Sequence, residues 1–528
     1  MALTFDLNKK SAGKRLGIEN VPFSVSAKVV PRKINIIGTY DPGKTEIVPD
    51  EPLRVFSPDE VGSKCGFGTM LHRLAVRAYD GSRGVETFIT PQEEVGGAVA
   101  GSGNIDFVGS TVTKASKLHF YAAAIKTSGA ISLAVGDDED AIAVKFAAAV
   151  EDAANKAFPV SAAVDDVTTS QVNITAKSKG PWGNFITLAF NIQPGEKLPE
   201  GVQVAITDMT GGSGVPDVTP ALNAWGVDDN QNEEWYMDVI CGYGQDTDTW
   251  DKLHDYNGNS NEGTGNYKPG LMRAFRTMVG DTDPGTAALS ALIAKADLRA
   301  EFDMTNGIVA EPGSYHHPME LAAVSMGLMS YTNNTLAESG YVDLALPNII
   351  PSPKTDRWTD NEDNRELAVR NGISVTQVKN NRVTLQNMMS FWRPESLPLD
   401  NNAYRSMRNI SLLQNIAYSG IQRFDTEKWK RFTVVRRTQR VTNPNSQTKA
   451  RDTNNVREEL VGWTYDLEKN AWIYEADFTI EKLKEGNVIF LREDGSGWNY
   501  RLPFILSGEG GILDGIVQVD INLAILAN

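Results

Sequence analysis

The chain has 528 residues, of which 41% are hydrophobic and 22% are charged. This composition is typical of globular proteins and excludes a disordered chain. The formal net charge of −16 argues against general nucleic-acid binding, because a protein that displaces counterions from phosphates needs a basic surface. The length predicts about three or four domains.

Cysteine usage and hydropathy exclude further classes of protein. Cys65 and Cys241 are too few for a disulfide framework, and we expect both to be buried thiols. No cysteine–histidine cluster predicts a metal site, and no motif indicates a cofactor. The first residues lack the apolar segment of a secretion signal, and no apolar run approaches the roughly 18 residues of a membrane helix. We therefore expect a protein made in a cytoplasm without membrane insertion.

Residues 1–28 are predicted to be an N-terminal arm that ends in a linking strand, because apolar and polar residues alternate there. The apolar positions of this strand are Phe23, Val25, Ala27 and Val29. An α/β core domain is then predicted over 29–97 and 198–350. It opens with the apolar strand Ile34–Ile37, continues with an amphipathic helix over Thr69–Tyr79, and closes with a strand over Tyr341–Leu346.

Residues 98–197 have the composition of an inserted, mainly β domain, rich in Thr, Val and Ala with short predicted strands. One helix is predicted over Asp140–Lys156. Because both ends of this insertion meet one connection of the core, we expect an outer domain that is dispensable for the core fold. The chain is expected to return to the core sheet with VQVAIT at 202–207.

Residues 351–506 are predicted to form a C-terminal α/β domain. A helix ends at Gly372, where a left-handed cap is expected, and a strand around Val375 pairs with Arg382–Leu385 across an asparagine turn. The apolar periodicity of Tyr404–Ile421 predicts a second helix. Residues 507–528 are predicted to be a C-terminal arm that contains a regular strand. The apolar face of that strand is Val517, Val519, Ile521, Leu523 and Ile525.

Two motifs resemble functional sites, one for nucleotide binding and one for metal binding, but the residues around them do not favour these functions. Gly38–Thr45 satisfies the P-loop pattern after a strand, but Pro49 and Pro52 follow closely, whereas a P-loop needs a helix to begin at its Lys-Thr. We therefore favour a turn. His316 and His317 are adjacent rather than at the i, i+4 spacing of helical metal ligands, so we favour a loop before Pro318.

Charge is unevenly distributed along the chain. Residues 228–262 hold ten acidic residues and one basic residue, Lys252, whereas a predicted strand over 431–441 lies within a basic stretch. Opposite patches favour head-to-tail self-association, and the alternative is that each is only a solvated face. The basic patch comprises Arg423, Lys428, Lys430, Arg431, Arg436, Arg437 and Arg440.

The order of these elements resembles that of contractile-tail sheath proteins, and the amino-acid sequences of several segments are similar to those of the Mu-like phage subclass. The residues that carry the resemblance are GFGTMLHRLAVRAY at 66–79, NITAKSKGPWGNFITL at 173–188, GGSGVPD at 211–217 and RELAVRNGIS at 365–374. The tryptophan-containing stretch over 455–500 has no counterpart in this resemblance.

The resemblance implies a multi-domain α/β (α+β) sheath-type core with strand-forming terminal arms. It implies a non-enzymatic virion protein that forms stacked helical rings of identical subunits around a tail tube and contracts to drive the tube through the host envelope. Tube, baseplate and tail terminator proteins would be its partners, and the basic patch would face the tube. The alternatives are a P-loop-like nucleotide-binding enzyme and a monomeric adhesin or receptor-binding module.

Overall fold

The computed structural model describes residues 29–225, 234–268, 273–396, 403–436, 441–485 and 488–508. These residues divide into two units by their contacts. One unit comprises 29–30 and 415–505, and the other comprises 31–414 and 506–508. The division at 414/415 falls inside a helix rather than in a loop.

The described residues form a mixed α/β protein, as predicted. The strands are β1 (Lys33–Thr39), β2 (Leu53–Val55), β3 (Glu86–Gln92), β4 (Ala100–Asp106), β5 (Ser116–Leu118), β6 (Phe120–Ala122), β7 (Ile125–Lys126), β8 (Ile131–Leu133), β9 (Val160–Val164), β10 (Gln171–Lys179), β11 (Leu188–Phe190), β12 (Ala205–Thr210), β13 (Asp238–Cys241), β14 (Arg276–Asp281), β15 (Asn306–Ala310), β16 (Ile373–Lys379), β17 (Arg382–Leu385), β18 (Thr433–Val434), β19 (Ala450–Arg451), β20 (Ile473–Tyr474), β21 (Ile489–Leu491), β22 (Trp498–Tyr500) and β23 (Ile505–Leu506). The α-helices are α1 (Pro58–Cys65), α2 (Met70–Ser82), α3 (Glu139–Val150), α4 (Thr219–Asn223), α5 (Thr247–Asn257), α6 (Thr286–Asp297), α7 (Pro318–Thr335), α8 (Glu362–Arg370), α9 (Met407–Phe424), α10 (Pro444–Gln447), α11 (Thr453–Lys469) and α12 (Ala476–Glu485).

The larger unit is built on an eight-stranded sheet in the order β17-β16-β15-β14-β13-β1-β3-β2. Its six central strands run parallel, and an antiparallel strand closes each edge. Every residue of β13, β14 and β15 is buried. Helices cover both faces of such parallel sheets, which is why these strands are almost continuously buried rather than alternating.

A second sheet in this unit, in the order β12-β4-β10-β9, takes three of its four strands from the predicted insertion. Alternation in β10 buries every second side chain, as expected for a sheet with one packed face. The prediction for 202–207 is wrong at this point, because Ile206 pairs with Ile105 in the smaller sheet instead of returning to the larger one. The chain joins the larger sheet again only at β13.

Specific contacts attach the end of β10 and the residues that follow it to the starts of helices α2 and α7. The indole of Trp182 stacks on the imidazole of His317 with ring centroids 3.6 Å apart. The backbone N–H of Met70, at the start of α2, donates to the Ser178 hydroxyl over 2.8 Å. Deletion of 98–197 would remove Trp182 and Ser178 and expose their partners, so these contacts argue against a dispensable insertion.

The β16–β17 hairpin confirms its predicted turn. Asn380 and Asn381 have φ of 50° and 59°, the left-handed pair that a two-residue turn between twisted strands requires. Gly372 has φ of 74°, as expected for a residue that ends a helix. The predicted strand over Tyr341–Leu346 is not formed as a regular strand, because Asp343 has φ of 64°. Backbone hydrogen bonds from this segment to β17 nevertheless cover the sheet edge.

The smaller unit takes its core from the tryptophan-containing stretch. Helix α11 begins with a reciprocal capping box between Asp452 and Asn455. Trp463 Nε1 donates to the Ser419 hydroxyl over 3.1 Å, and Trp472 is only 1% exposed. These tryptophans therefore stabilise the unit as core residues.

A buried arginine, Arg276, organises the centre of the larger unit. Its Nε donates to Asp238 Oδ1 over 2.5 Å, and the two residues are direct register partners in β14 and β13. Its other nitrogens donate to the Tyr341 hydroxyl over 2.6 Å, to Asn333 Oδ1 over 3.0 Å and to the Met407 carbonyl over 2.8 Å. Burial alone would lower the pKa of Arg276, but Asp238 and Tyr341 raise it above its ordinary value.

Helices α2 and α7 cross at two glycines with no side chain between their backbones. A Cβ on Gly327 would lie 2.4 Å from the Ala78 carbonyl oxygen, and one on Gly81 would lie 2.4 Å from that of Val324. The crossing therefore tolerates only glycine at these positions.

Beside the crossing, Glu320 of α7 is fully buried between two arginines of α2. Its carboxylate accepts from Arg73 over 3.0 and 3.1 Å and from Arg77 over 2.8 Å. Burial would raise the pKa of Glu320, but the two guanidinium groups outweigh it and hold the pKa at about 2.

Replacing Gly327 with alanine should lower the thermal midpoint, because forced overpacking costs about 1–3 kcal/mol and outweighs a helix-propensity gain of about 1 kcal/mol. Gly96→Ala is the matched control, since nothing lies within 4 Å of the Cβ it would add. A Gly327→Ala protein as stable as the wild type would contradict the close crossing.

Replacing Glu320 with glutamine should destabilise the fold by about 3–5 kcal/mol at neutral pH, because two buried guanidinium groups lose their counter-charge. A carboxyl with a depressed pKa stabilises the fold above its unfolded pKa and loses that contribution as pH falls toward its folded pKa. The difference in the free energy of unfolding between wild type and Glu320→Gln should therefore become smaller as the pH falls from 4.5 to about 2, as measured by denaturant titrations. Exposed Glu458→Gln is the control, and a gap that is constant with pH would refute the ion-pair account.

Candidate functional site

The P-loop lookalike forms a turn. No helix begins at Lys44 or Thr45, and the next helix after β1 is α1. The N–H of Gly43 donates to the Asp41 carboxylate over 2.9 Å, and the N–H of Lys44 donates to the Asp41 carbonyl over 2.9 Å. A P-loop presents such amides to phosphates, whereas here Asp41 already occupies them.

The adjacent histidines are buried and engaged by the protein. His317 Nδ1 accepts from the N–H of Met319 over 3.1 Å, and its Nε2 lies 3.1 Å from the Trp182 carbonyl. His316 Nε2 accepts from the N–H of Ile350 over 2.8 Å. Burial lowers the pKa of both imidazoles below its ordinary value, so both are neutral near pH 7. Among the described residues, no group of three His, Cys, Asp or Glu side chains is placed to hold a metal ion.

The two cysteines are buried free thiols, as predicted. Burial raises the pKa of Cys65 and of Cys241 to about 12. Neither is therefore a reactive thiolate near neutral pH.

The basic patch is partly neutralised within its own unit. Arg423 forms ion pairs with Glu459 and with Asp466, the latter over 2.6 Å. Lys428 lies 2.6 Å from Glu459, while Lys430 lies 3.2 Å from Asp425. Burial would raise the pKa of Glu459, but hydrogen bonds from Lys428 and Arg423 lower it. Three of the seven predicted residues thus have acidic partners.

The remainder of the basic patch is smaller than the sequence suggested. Arg431 and Arg436 are exposed, and within the described ranges neither forms an ion pair. Arg437 and Arg440 lie outside the described residues. The predicted strand over 431–441 is present only as Thr433–Val434 in the part that the structure describes.

The acidic segment over 228–262 is also used internally where it is described. Asp238 pairs with Arg276, and Asp251 lies 2.6 Å from Arg299. Asp246 caps α5 by accepting from the Thr249 N–H over 2.9 Å. The sequence could not show these partners, because each is distant in the chain or depends on helix geometry.

The predicted linking strands lie almost entirely outside the described residues. Phe23, Val25 and Ala27 are not described, and Val29 is exposed and precedes β1 without strand geometry. The apolar strand face at Val517, Val519, Ile521, Leu523 and Ile525 is not described either. Among the described helices, none is long and apolar enough to cross a membrane.

Comparison with curated proteins gives a match in sequence over part of the chain. The chain is 27% identical over 190 residues to the Mu-like prophage FluMu tail sheath protein of Haemophilus influenzae. The matched region covers 36% of this chain and 36% of the length of that relative. No protein-family model matches the chain.

Solved structures that match the chain include two with TM-scores below 0.5. The sheath tail protein of Desulfitobacterium hafniense is 9% identical, with a TM-score of 0.43, over 94% of this chain and 100% of that chain. A chain of the anti-feeding prophage baseplate in its contracted state is 10% identical, with a TM-score of 0.45, over 98% of this chain and 100% of that chain. The match in sequence confirms, over its 190 residues, the predicted resemblance to the tail sheath proteins of Mu-like phages.

Proposed function

We propose that this chain is the structural subunit of a contractile tail sheath, which polymerises helically around a tail tube and shortens to drive the tube through a host envelope. The observation that carries the proposal is the match over 190 residues to a Mu-like tail sheath protein. The subunit would be assembled in the host cytoplasm and would become part of the virion, with tube, baseplate and tail terminator proteins as partners.

We propose that neighbouring subunits are linked by strand addition through the terminal arms. A regular strand at the end of a chain has backbone N–H and C=O groups that need partners, and a sheet edge in an adjacent copy supplies them. Such main-chain ladders survive rigid-body rotation of the subunits, so copies could slide during contraction without separating. The strand around Val517–Ile525 would link one neighbour, and the strand around Phe23–Val29 the other.

A nucleotide-hydrolysing role finds no support in the local geometry. The amides of Gly43 and Lys44 are occupied by Asp41, and no helix begins at Lys44 or Thr45. A monomeric adhesin is tested by the same experiment as the sheath, because it predicts that the purified chain never assembles.

The purified chain should form tubes or rings in negative-stain electron micrographs, and deletion of 515–528 should leave a folded monomer. The deletion removes the backbone groups that a neighbour would pair with, while the described folds lie outside it. Gln518→Ala with Asn522→Ala is the control, since it alters the polar face and keeps the strand backbone. Long regular tubes from the truncated protein would refute linkage by the C-terminal arm.

Reversing Arg431 and Arg436 to glutamate should leave the subunit folded and weaken its association with tail tubes roughly tenfold, because exposed charge pairs contribute about 0–1 kcal/mol each. The dependence of binding on salt should fall as well. Lys484→Glu with Arg501→Glu makes the same charge change elsewhere in this unit and should bind normally. Equal binding by both double variants and the wild type in co-sedimentation would contradict a tube-facing patch.

A further inference from the structure

The described chain enters the larger unit through a deeply buried arginine. Arg32 is 2% exposed and lies just before β1. Its guanidinium donates to Gln414 Oε1, to the Ser411 hydroxyl and, over 3.0 Å, to the Ser411 carbonyl. Both acceptor residues belong to α9. The segment that follows residues 1–28 is therefore fastened to this helix by several hydrogen bonds at once.

The end of the described chain is fastened by a second buried arginine. Arg408, in the first turn of α9, is 1% exposed. It donates to the Ser507 carbonyl and, over 2.8 Å, to the Ser507 hydroxyl. It also donates to the Glu338 carbonyl over 2.7 and 3.1 Å. Residues 506–508, where the predicted C-terminal arm begins, are thus attached to the same helix.

The attachment points share one side of α9. Arg408, Ser411 and Gln414 follow at intervals of three residues, and residues three apart are neighbours on a helix surface. At a rise of about 1.5 Å per residue, the three positions span roughly 9 Å. Val30, one residue before the larger unit, separately donates its N–H to Asn415 Oδ1 over 3.0 Å. We call residues 29–32 and 506–508 the root segments.

Packing alone does not account for the choice of arginine at position 32. Its described hydrogen-bond acceptors are neutral groups, and its Nε has no partner among the described residues. Burial, opposed by Asp238 and reinforced by Arg276, lowers the pKa of Arg32 to about 10. A buried charge with this environment is expensive, and an apolar side chain of similar volume would often be at least as stable. An arginine instead has a planar guanidinium group whose N–H donors point in fixed directions, so it fixes the orientation of its own segment relative to α9.

We propose that Arg32 and Arg408 are positioning residues that fasten both root segments to one side of α9, so that a pull on one terminal arm passes to the other through less than two turns of one helix. This inference rests on the proposed function, in which each arm holds a neighbouring copy of this chain. The sheets of the larger unit would then not carry the tension that passes from one terminal arm to the other. Several hydrogen bonds at each root would have to break together before an arm detached.

Hydrogen exchange and tube mechanics test the proposal with Arg32→Met and Arg408→Met in the full chain. Amides of the root segment beside each substitution should exchange roughly tenfold faster, the effect of losing one hydrogen bond to a charged group. Amides of β14 and β15 should keep their protection. Tubes of these variants should break into shorter pieces than wild-type tubes under the same brief sonication.

Arg77→Met is the matched control, because Arg77 is a buried arginine that contacts neither root segment in the described structure. It should lower the thermal midpoint without selective exposure of the root segments. If Arg32→Met fails to fold, Ser411→Ala can replace it, because this variant keeps the arginine and removes one of its acceptors. It too should speed amide exchange in residues 29–32 and shorten the tubes that remain after sonication.

The outcomes separate the two proposals. Unchanged exchange at the root segments in folded variants would overturn the anchoring. Faster exchange with tubes as robust as wild type would overturn the transmission of force. If the wild-type chain forms no tubes at all, the sheath function and the transmission both fail, whereas the exchange measurements still decide whether Arg32 and Arg408 fasten the root segments.

Discussion

The pairing of Arg276 with Asp238 is the interaction on which the larger unit depends. Both side chains are fully buried and stand opposite each other in adjacent parallel strands, so the pair fixes the register of β13 against β14. A slip by one residue would leave a cation in the core without its counter-charge, which is far costlier than a misplaced apolar contact. The remaining donors of Arg276 then fix where α7 ends and where α9 begins.

From this centre, polar contacts extend through α9 to both root segments. Because Arg276 holds the Met407 carbonyl, the first turn of α9 is fixed relative to the sheet. Arg408 and Ser411 follow immediately, and they hold the root segments. The positions of the root segments are therefore linked, through several contacts, to the register of the sheet.

Local features were predictable from the sequence, and long-range pairings were not. The asparagine turn of β16–β17, Gly372 and α2 depend on residues within a few positions of one another, and all three were predicted. The segment VQVAIT at 202–207 was predicted to return to the core, but a short apolar segment does not say which sheet it joins. The ion pairs of Arg423 in the basic patch could not be read from the sequence, because Glu459 and Asp466 lie some forty residues away. The linking strands and the domain boundaries stay predictions.

The burial of the two thiols would matter in the proposed assembly, in which many copies of this chain are packed together. Burial raises the pKa of Cys65 and Cys241 to about 12, so both thiols are protonated at pH 7. Thiol–disulfide exchange requires the thiolate, and both sulfurs are also shielded from approach. Subunits packed at very high local concentration would thus not form disulfide cross-links with their neighbours in an oxidising medium. Neighbouring copies would therefore keep their freedom to move relative to one another over time.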